Sequence, residues 1–355
     1  MPCKKFSSLT DQVTDHLRQG MILGRWRDTL PGRDRLAEEL GCSNSTVEEA
    51  MQRLSREGLL VSQGAGKRRR IVLPEGVKSN RAMRVSLLLY EQSDRKTYYL
   101  LAMISRLRDA GHDANFADKT MHDLGMNAKR IARYVEASDS DAWVVVGGSR
   151  DVLEWFAERP TPAFALFGRL TDVPLASTSP RKAGAVQELV DRLAGMGHRR
   201  IVMLAREERR KPSPGYLEQL YLKRLGENHI KTSAYNLPEW GDGPEELGRV
   251  LDSLFLHTPP TAIILGQPSL YFSAANHLAR LGITAPEKVS LACTDDNPLF
   301  DWCRPAITHI SWDSPPLIKR VVKWVENISR GKDDRRKTAN EARLIIGGTI
   351  GPAPR

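Results

Sequence analysis

Four consecutive cations, Lys67, Arg68, Arg69 and Arg70, follow the glycine-rich run Ser62-Gln63-Gly64-Ala65-Gly66. Apolar Leu59-Leu60-Val61 precedes this stretch and Ile71-Val72 follows it. Strand, basic glycine turn and strand predict a β-hairpin whose tip sits against phosphates or in a minor groove. Upstream, Asn44, Ser45, Glu48, Glu49 and Gln52 fall on one side of a helical repeat. Asn can pair with adenine and Glu can accept from cytosine N4, so this face has the chemistry of base reading. The plainer alternatives are a solvated turn and an ordinary polar helix face. The agreement of motif order, wing and local charge weighs against them.

Other chemistries find little support. GAGK would need a glycine at Val61 and a Ser or Thr at Arg68 to be a Walker loop. The chain has no GxSxG, no HExxH and no GxGxxG after its first strand, so no catalytic residues are assigned and no enzyme is expected. Gly147-Gly148-Ser149 is a strand-end turn and by itself a weak phosphate signal. Cys3, Cys42, Cys293 and Cys303 show no CxxC spacing and no His cluster. No metal, disulfide framework or cofactor is expected.

The elements that would carry the polar face are legible. Leu9, Val13, Leu17 and Met21 predict a first helix. Leu30-Pro31-Gly32 opens a second, which holds Leu36, Ala37 and Leu40 and stops at Gly41. Ser43, Asn44, Ser45 and Thr46 offer N-caps for a third, and Ser45 with Glu48 would make a capping box. Val47, Ala50, Met51 and Leu54 form its buried stripe. Two helices joined at a glycine, the second polar on its outer face, make a helix-turn-helix that presents a helix to the major groove.

Charge distribution agrees. The chain has 355 residues and a net charge of +10. Residues 1–81 hold 15 Lys/Arg and 10 Asp/Glu, half of that excess in under a quarter of the length. A polyanion would dock there. MPCKKFSSLTDQ has no apolar signal core and no run reaches about 20 apolar residues, so a cytoplasmic protein without a membrane partner is expected.

The polar stretch LPEGVKSNRAMR, residues 73–84, separates two textures and predicts a linker between domains at 1–72 and 85–355. Beyond it, apolar runs at Val85–Tyr90, Ala142–Gly147, Ala163–Phe167, Ile201–Ala205, Thr261–Leu265 and Val289–Cys293 predict parallel strands. Helical patterns near 98–110, 127–137, 182–196, 215–226, 244–256, 270–281 and 315–329 lie between and after them. Repeated β-α order argues for a doubly wound α/β fold. The strands start in two blocks, which predicts two lobes.

LPGRDRLAEELGCSNSTVEEAMQRLSREGLLVSQGAGKRRRI resembles the GntR-type winged helix-turn-helix. That family's usual form runs LPS-x-R-x-LA, LGVSR-x-TV-R-x-A, EGL and G-x-G. The resemblance implies double-stranded operator DNA as partner and contacts from Arg33, Arg35, Ser43, Asn44, Ser45, Thr46, Glu48, Gly64, Lys67, Arg68, Arg69 and Arg70. Asp34, Asn44 and Glu48 stand where the family carries arginine, which implies a different operator. The loop from Gly24-Arg25-Trp26 to Leu30 is about two residues shorter than usual.

Residues 84–352 resemble the effector domain of LacI/GalR-type regulators, akin to periplasmic sugar-binding proteins. The resemblance rests on Met196-Gly197-His198-Arg199-Arg200-Ile201, on Pro286 through Pro298 and on Pro305-Ala306-Ile307-Thr308-His309-Ile310. The combined architecture is similar to that of arabinose-repressor-type regulators. The likeness implies a small-molecule, sugar-like effector bound between lobes, a homodimer and a transcription regulator, with repression the family's usual output. It implies Trp240 as the stacking aromatic and Asp295 as the polar contact, with Tyr90, Glu91 and Arg169 at strand ends. Gly266-Gln267 stands where many members have Asn-Asp, so Gln267 joins the candidates. Ser179 and Leu217 also depart from family positions. The alternatives left open are a receptor with a degenerate pocket and an α/β enzyme carrying an accessory DNA-binding domain.

Overall fold

The computed structural model describes residues 8–22, 26, 28–64, 67–72, 82–170, 172–241 and 243–354. Most of the expected linker, Ala65 and Gly66 of the expected wing tip, and part of the short loop near Arg25 lie outside them.

The N-terminal module has three helices, α1 (Leu9–Ile22), α2 (Arg33–Leu40) and α3 (Asn44–Arg56), and a hairpin of β1 (Leu60–Val61) and β2 (Arg70–Ile71). Val13, Leu17 and Met21 of α1 pack against Leu36 and Ala37 of α2 and Val47, Ala50, Met51 and Leu54 of α3. Leu17, Leu36 and Leu54 are 0% exposed, and each such burial stabilises the module by roughly 1.5–3 kcal/mol. α2 stops at Gly41, whose φ is +61°. Glycine takes that conformation without steric cost, and Cys42 N donates to Ala37 O at 3.1 Å to close the helix end. The segment before α2 makes a single antiparallel bridge to the hairpin at Thr29 and Arg70: Leu30 N donates to Arg69 O at 3.0 Å and Ile71 N to Asp28 O at 2.9 Å.

The chain divides into two compact units, residues 1–178 with 317–337 and residues 179–316 with 338–355. Beside the N-terminal module, the first unit holds β3 (Arg84–Leu88), α4 (Tyr98–Asp109), β4 (Asp113–Phe116), α5 (Ala128–Glu136), β5 (Ala142–Val146), α6 (Arg150–Ala157), β6 (Ala163–Leu166) and the start of β7 (Ala176–Arg181). The strands run parallel in the order β4-β3-β5-β6-β7. Every residue of β5, AWVVV, is buried, as a central parallel strand covered on both faces requires.

The second unit holds α7 (Ala183–Gly195), β8 (Ile201–Leu204), α8 (Glu207–Arg210), α9 (Tyr216–Glu227), α10 (Pro244–His257), β9 (Ala262–Leu265), α11 (Pro268–Arg280), β10 (Ser290–Cys293) and β11 (Thr308–Trp312). Helix α12 (Ser314–Ser329) then returns to the first unit, and β12 (Lys337–Ile345) returns to the second. Strand order is β12-β11-β10-β9-β8, parallel except for the β11–β12 pair. Alternate strand residues feed two cores. Ile201, Met203 and Ile264 meet α7 and α9, whereas Val202, Leu204 and Ile263 meet α10 and α11. That two-faced burial is the doubly wound arrangement.

α12 packs on the first unit through Phe164, over whose ring the Arg320 guanidinium lies at 5.2 Å. Trp324 meets Phe164 at a ring separation of 5.3 Å. The buried Arg320 donates to both Asp334 oxygens, at 3.1 and 3.0 Å. Burial pushes the Asp334 carboxyl up, but hydrogen bonds from Arg336 and Asn327 and the charge of Arg320 outweigh it and hold the group well below the ordinary carboxylate range.

The expected strands appear, each one residue shorter than expected; Val85–Tyr90 also starts one residue earlier, as Arg84–Leu88. β4, β7, β11 and β12 were not expected. They read DANF, ASTSPR, THISW and KTANEARLI, polar runs whose pairing comes from neighbours rather than from a buried apolar stretch.

Candidate functional site

The third helix is capped by Ser43, one of the four expected caps. Ser43 Oγ accepts from Thr46 N at 3.1 Å, and the expected box between Ser45 and Glu48 does not form. The reason is position: the helix begins at Asn44, which puts Thr46 where a capping-box glutamate would stand and leaves Glu48 beyond reach. Ser43 Oγ also lies 2.8 Å from both Ser45 Oγ and Thr46 Oγ1. Three hydroxyls therefore gather at the positive end of a helix, a favourable place for a phosphate.

Asn44, Ser45, Glu49 and Gln52 are exposed on the outer face of α3. Ion pairs steady the helix, one of them engaging Glu49 of that face. Arg53 meets Asp11 of α1 at 2.5 Å and Glu49 at 2.7 Å, and Arg18 meets Glu57 at 2.7 Å. Arg33 and Arg35 are exposed at the start of α2, with Asp34 3.3 Å from Arg33.

On the wing, Gly64, Lys67, Arg68 and Arg70 are exposed, and among the described residues no ion pair engages the three cations. Arg69 differs. Its Nη2 lies 2.5 Å from Glu48 Oε1, so Glu48 and Arg69 meet each other across the module. Sequence spacing gave no sign of this pairing.

The effector candidates fall within each lobe as follows. Tyr90 is buried in the first lobe's core, its ring 6.4 Å from His122. Glu91 caps the short turn Gln92–Lys96, accepting from Asp94 N while Asp94 accepts from Glu91 N at 3.1 Å. Arg169 is half-buried and its N donates to Gly148 O at 3.1 Å. Beside it stands a residue that sequence reasoning missed. Phe167 has a φ of +63°, a left-handed conformation costly for a bulky side chain, and its half-buried ring meets Tyr99 at 5.9 Å. Gly168 permits the close approach there, since a Cβ would stand 2.6 Å from Gly148 O. No spacing rule would have found Phe167.

In the second lobe Trp240 belongs to the core with Leu247 and Leu251, and the Arg210 guanidinium lies over its ring at 5.5 Å. Gln267 is half-buried at the start of α11. Asp295 follows β10; its Oδ1 accepts from Trp312 Nε1 at 2.6 Å and meets Lys182 Nζ at 2.9 Å. Asp296 accepts from Ser311 Oγ at 2.8 Å. Lys182, Trp312 and Ser311 are thus added to the polar group around Asp295.

Among the described residues no group of three or more His, Cys, Asp or Glu could hold a metal ion, and no helix is long and apolar enough to cross a membrane.

Residues 9–66 match the family model for bacterial regulatory proteins of the gntR family, and residues 190–350 match the periplasmic binding protein-like domain. No curated protein matches the chain. Among solved structures, a LacI family transcriptional regulator from Enterococcus faecium with bound ribose is 14% identical, with a TM-score of 0.59 over 76% of this chain and 98% of that one. A dimeric Lac repressor is 16% identical, with a TM-score of 0.62 over 76% of this chain and 99% of that one. The transcriptional regulator CelR in complex with cellobiose is 16% identical, with a TM-score of 0.61 over 90% of this chain and all of the other. At such identities the structural likeness speaks for the fold, and the family models speak for the domains. The chain joins a DNA-binding domain that matches the gntR family of bacterial regulatory proteins to a periplasmic binding protein-like domain, the composition of a DNA-binding transcription regulator.

Proposed function

We propose that the chain acts in the cytoplasm as a homodimer whose two winged helices read a roughly palindromic operator, and that a small molecule bound by its C-terminal lobes tunes that reading. The observation that carries the DNA half is the exposed polar face of α3, capped by Ser43, in the same module as the unpaired cations Lys67, Arg68 and Arg70. Cations supply affinity for any duplex and the helix face supplies sequence preference. Asn44 is the leading base reader, and Arg33, Arg35, Ser45, Thr46 and Gly64 fit backbone contacts.

Dimerisation is supported by the fold shared with a dimeric Lac repressor. Effector control is supported by relatives of this fold that hold ribose or cellobiose. Such control requires differential affinity of the effector for two arrangements of the protein. The candidates are Tyr90, Glu91, Arg169 and Phe167 in one lobe, and Trp240, Gln267, Asp295 and Lys182 in the other. The regulator is read as non-enzymatic.

One observation favours a second reading, in which the pocket no longer takes an ordinary sugar. Asp295 Oδ1 already holds Trp312 and Lys182, and Trp240 is packed beneath Arg210. A thermal-shift screen with sugars, sugar acids and nucleobases separates the two, because a specific ligand raises the melting point by mass action. Selection from a random duplex pool tests the DNA half. An inverted repeat should emerge, and Asn44→Ala should change the selected bases more than the overall affinity. A full-length protein that retains no duplex in dilute salt would sink the reading.

A further inference from the structure

The wing is held by very little backbone. β1 and β2 are two residues each, and a hairpin that short is marginal alone. Arg69 supplies a second attachment. Its carbonyl accepts from Leu30 N at 3.0 Å, on the segment leading into α2. Its guanidinium reaches α3, with Nη2 2.5 Å from Glu48 Oε1. The same oxygen accepts from Gln52 Nε2 at 3.2 Å. Arg69 and Glu48 side chains are 23% and 30% exposed, whereas the neighbouring Arg68 and Arg70 are open to solvent. Arg69 Nη1 is buried and has no hydrogen-bond partner among the described residues, so the guanidinium is turned inward.

Those facts set Arg69 apart from the other wing cations. A guanidinium turned inward would have to abandon its carboxylate to reach a phosphate, leaving Glu48 unpaired among the phosphates of a bound duplex. Glu48, with two donors already on Oε1, has its charge matched from within the chain. We propose that Glu48 and Arg69 form a latch that sets the wing against the reading helix. Arg69 is then a positioning residue, and Glu48 is withdrawn from base reading. The inference rests on the DNA-binding reading above. It adds that the glutamate found where the resembled family carries arginine works together with a wing arginine.

The test is a double-mutant cycle in the full-length protein with Glu48→Gln, Arg69→Gln and both together, with Arg68→Gln as comparison. The readouts are affinity for the selected operator and the slope of log K against log salt on unrelated duplex. The latch predicts that each single change weakens operator binding roughly tenfold and that the double change is no worse than either. It also predicts that Arg69→Gln leaves the slope unchanged, while Arg68→Gln lowers its magnitude by about 0.9. Multiplying single effects, or a slope loss in Arg69→Gln equal to that of Arg68→Gln, would overturn it. A wild-type protein without DNA affinity would instead refute the parent reading.

Discussion

Lys182 Nζ stands 2.9 Å from Asp295 Oδ1, and the two form an ion pair in which the lysine side chain is only 12% exposed. The oxygen is shared with the Trp312 indole, so the carboxylate fastens the end of β7 to the end of β11 within one lobe. Asp295→Asn keeps an acceptor for the indole and removes the charge that holds the ammonium. The expected loss is about 1–2 kcal/mol of unfolding free energy for a half-buried, charge-assisted bond. Denaturant titration of the full chain checks it; an unchanged midpoint would mean that solvent already screens the pair.

The unpaired wing cations should act on phosphates. Replacing Lys67, Arg68 and Arg70 together by alanine should weaken binding to every duplex and flatten the salt slope by about 2.7, at roughly 0.9 for each phosphate contact. Anisotropy titrations over a salt series provide the measurement. A parallel line displaced downward would show that the wing does not touch the backbone.

Ser43 closes the first turn of the reading helix. Ser43→Ala should cost about 1 kcal/mol of stability in the N-terminal module by leaving the Thr46 N–H without its acceptor. Ser45→Ala should cost little, since the cap lies elsewhere. Equal losses from the two substitutions would contradict the assignment of the cap.

Acid should loosen the first lobe through Asp334. Its carboxyl is held below the ordinary range when folded, against about 3.9 in an unfolded chain. A depressed folded value contributes stability that is fully present above the unfolded value and lost as pH falls through the folded one. Urea midpoints should therefore fall below about pH 4. Asp334→Asn should flatten that dependence and cost about 3–5 kcal/mol at neutral pH by leaving Arg320 short of its partner. An identical acid profile in the variant would remove Asp334 from the explanation.

The reading helix and the wing were legible because their signals are local. Val47, Ala50, Met51 and Leu54 repeat at helical spacing, and the cations are consecutive. The link between Glu48 and Arg69 was not legible, since it joins residues 21 apart that meet only once α3 and the hairpin have packed. Residue type and spacing suggest a partner without saying which neighbour folding brings closer; Ser45 and Glu48 have the spacing of a capping box that does not form, while Ser43, one of the four expected caps, takes the place. Strands such as β5 announce themselves by uniform burial. β12, with its alternating polar residues, is fixed by its antiparallel register with β11 and by little of its own composition. Phe167 was hidden because backbone conformation at a strand end is set by the close approach of Gly168 to Gly148.

Residues 317–337 belong to the first unit although they lie more than 130 positions beyond its other members. A ribosome must therefore deliver residues 179–316 of the second unit before the buried Trp324 and Arg320 can take their places. The winged helix is built from one continuous stretch with a core of its own and can form early during synthesis. A chain interrupted before residue 317 would carry a finished winged helix beside a first lobe that still lacks its last helix.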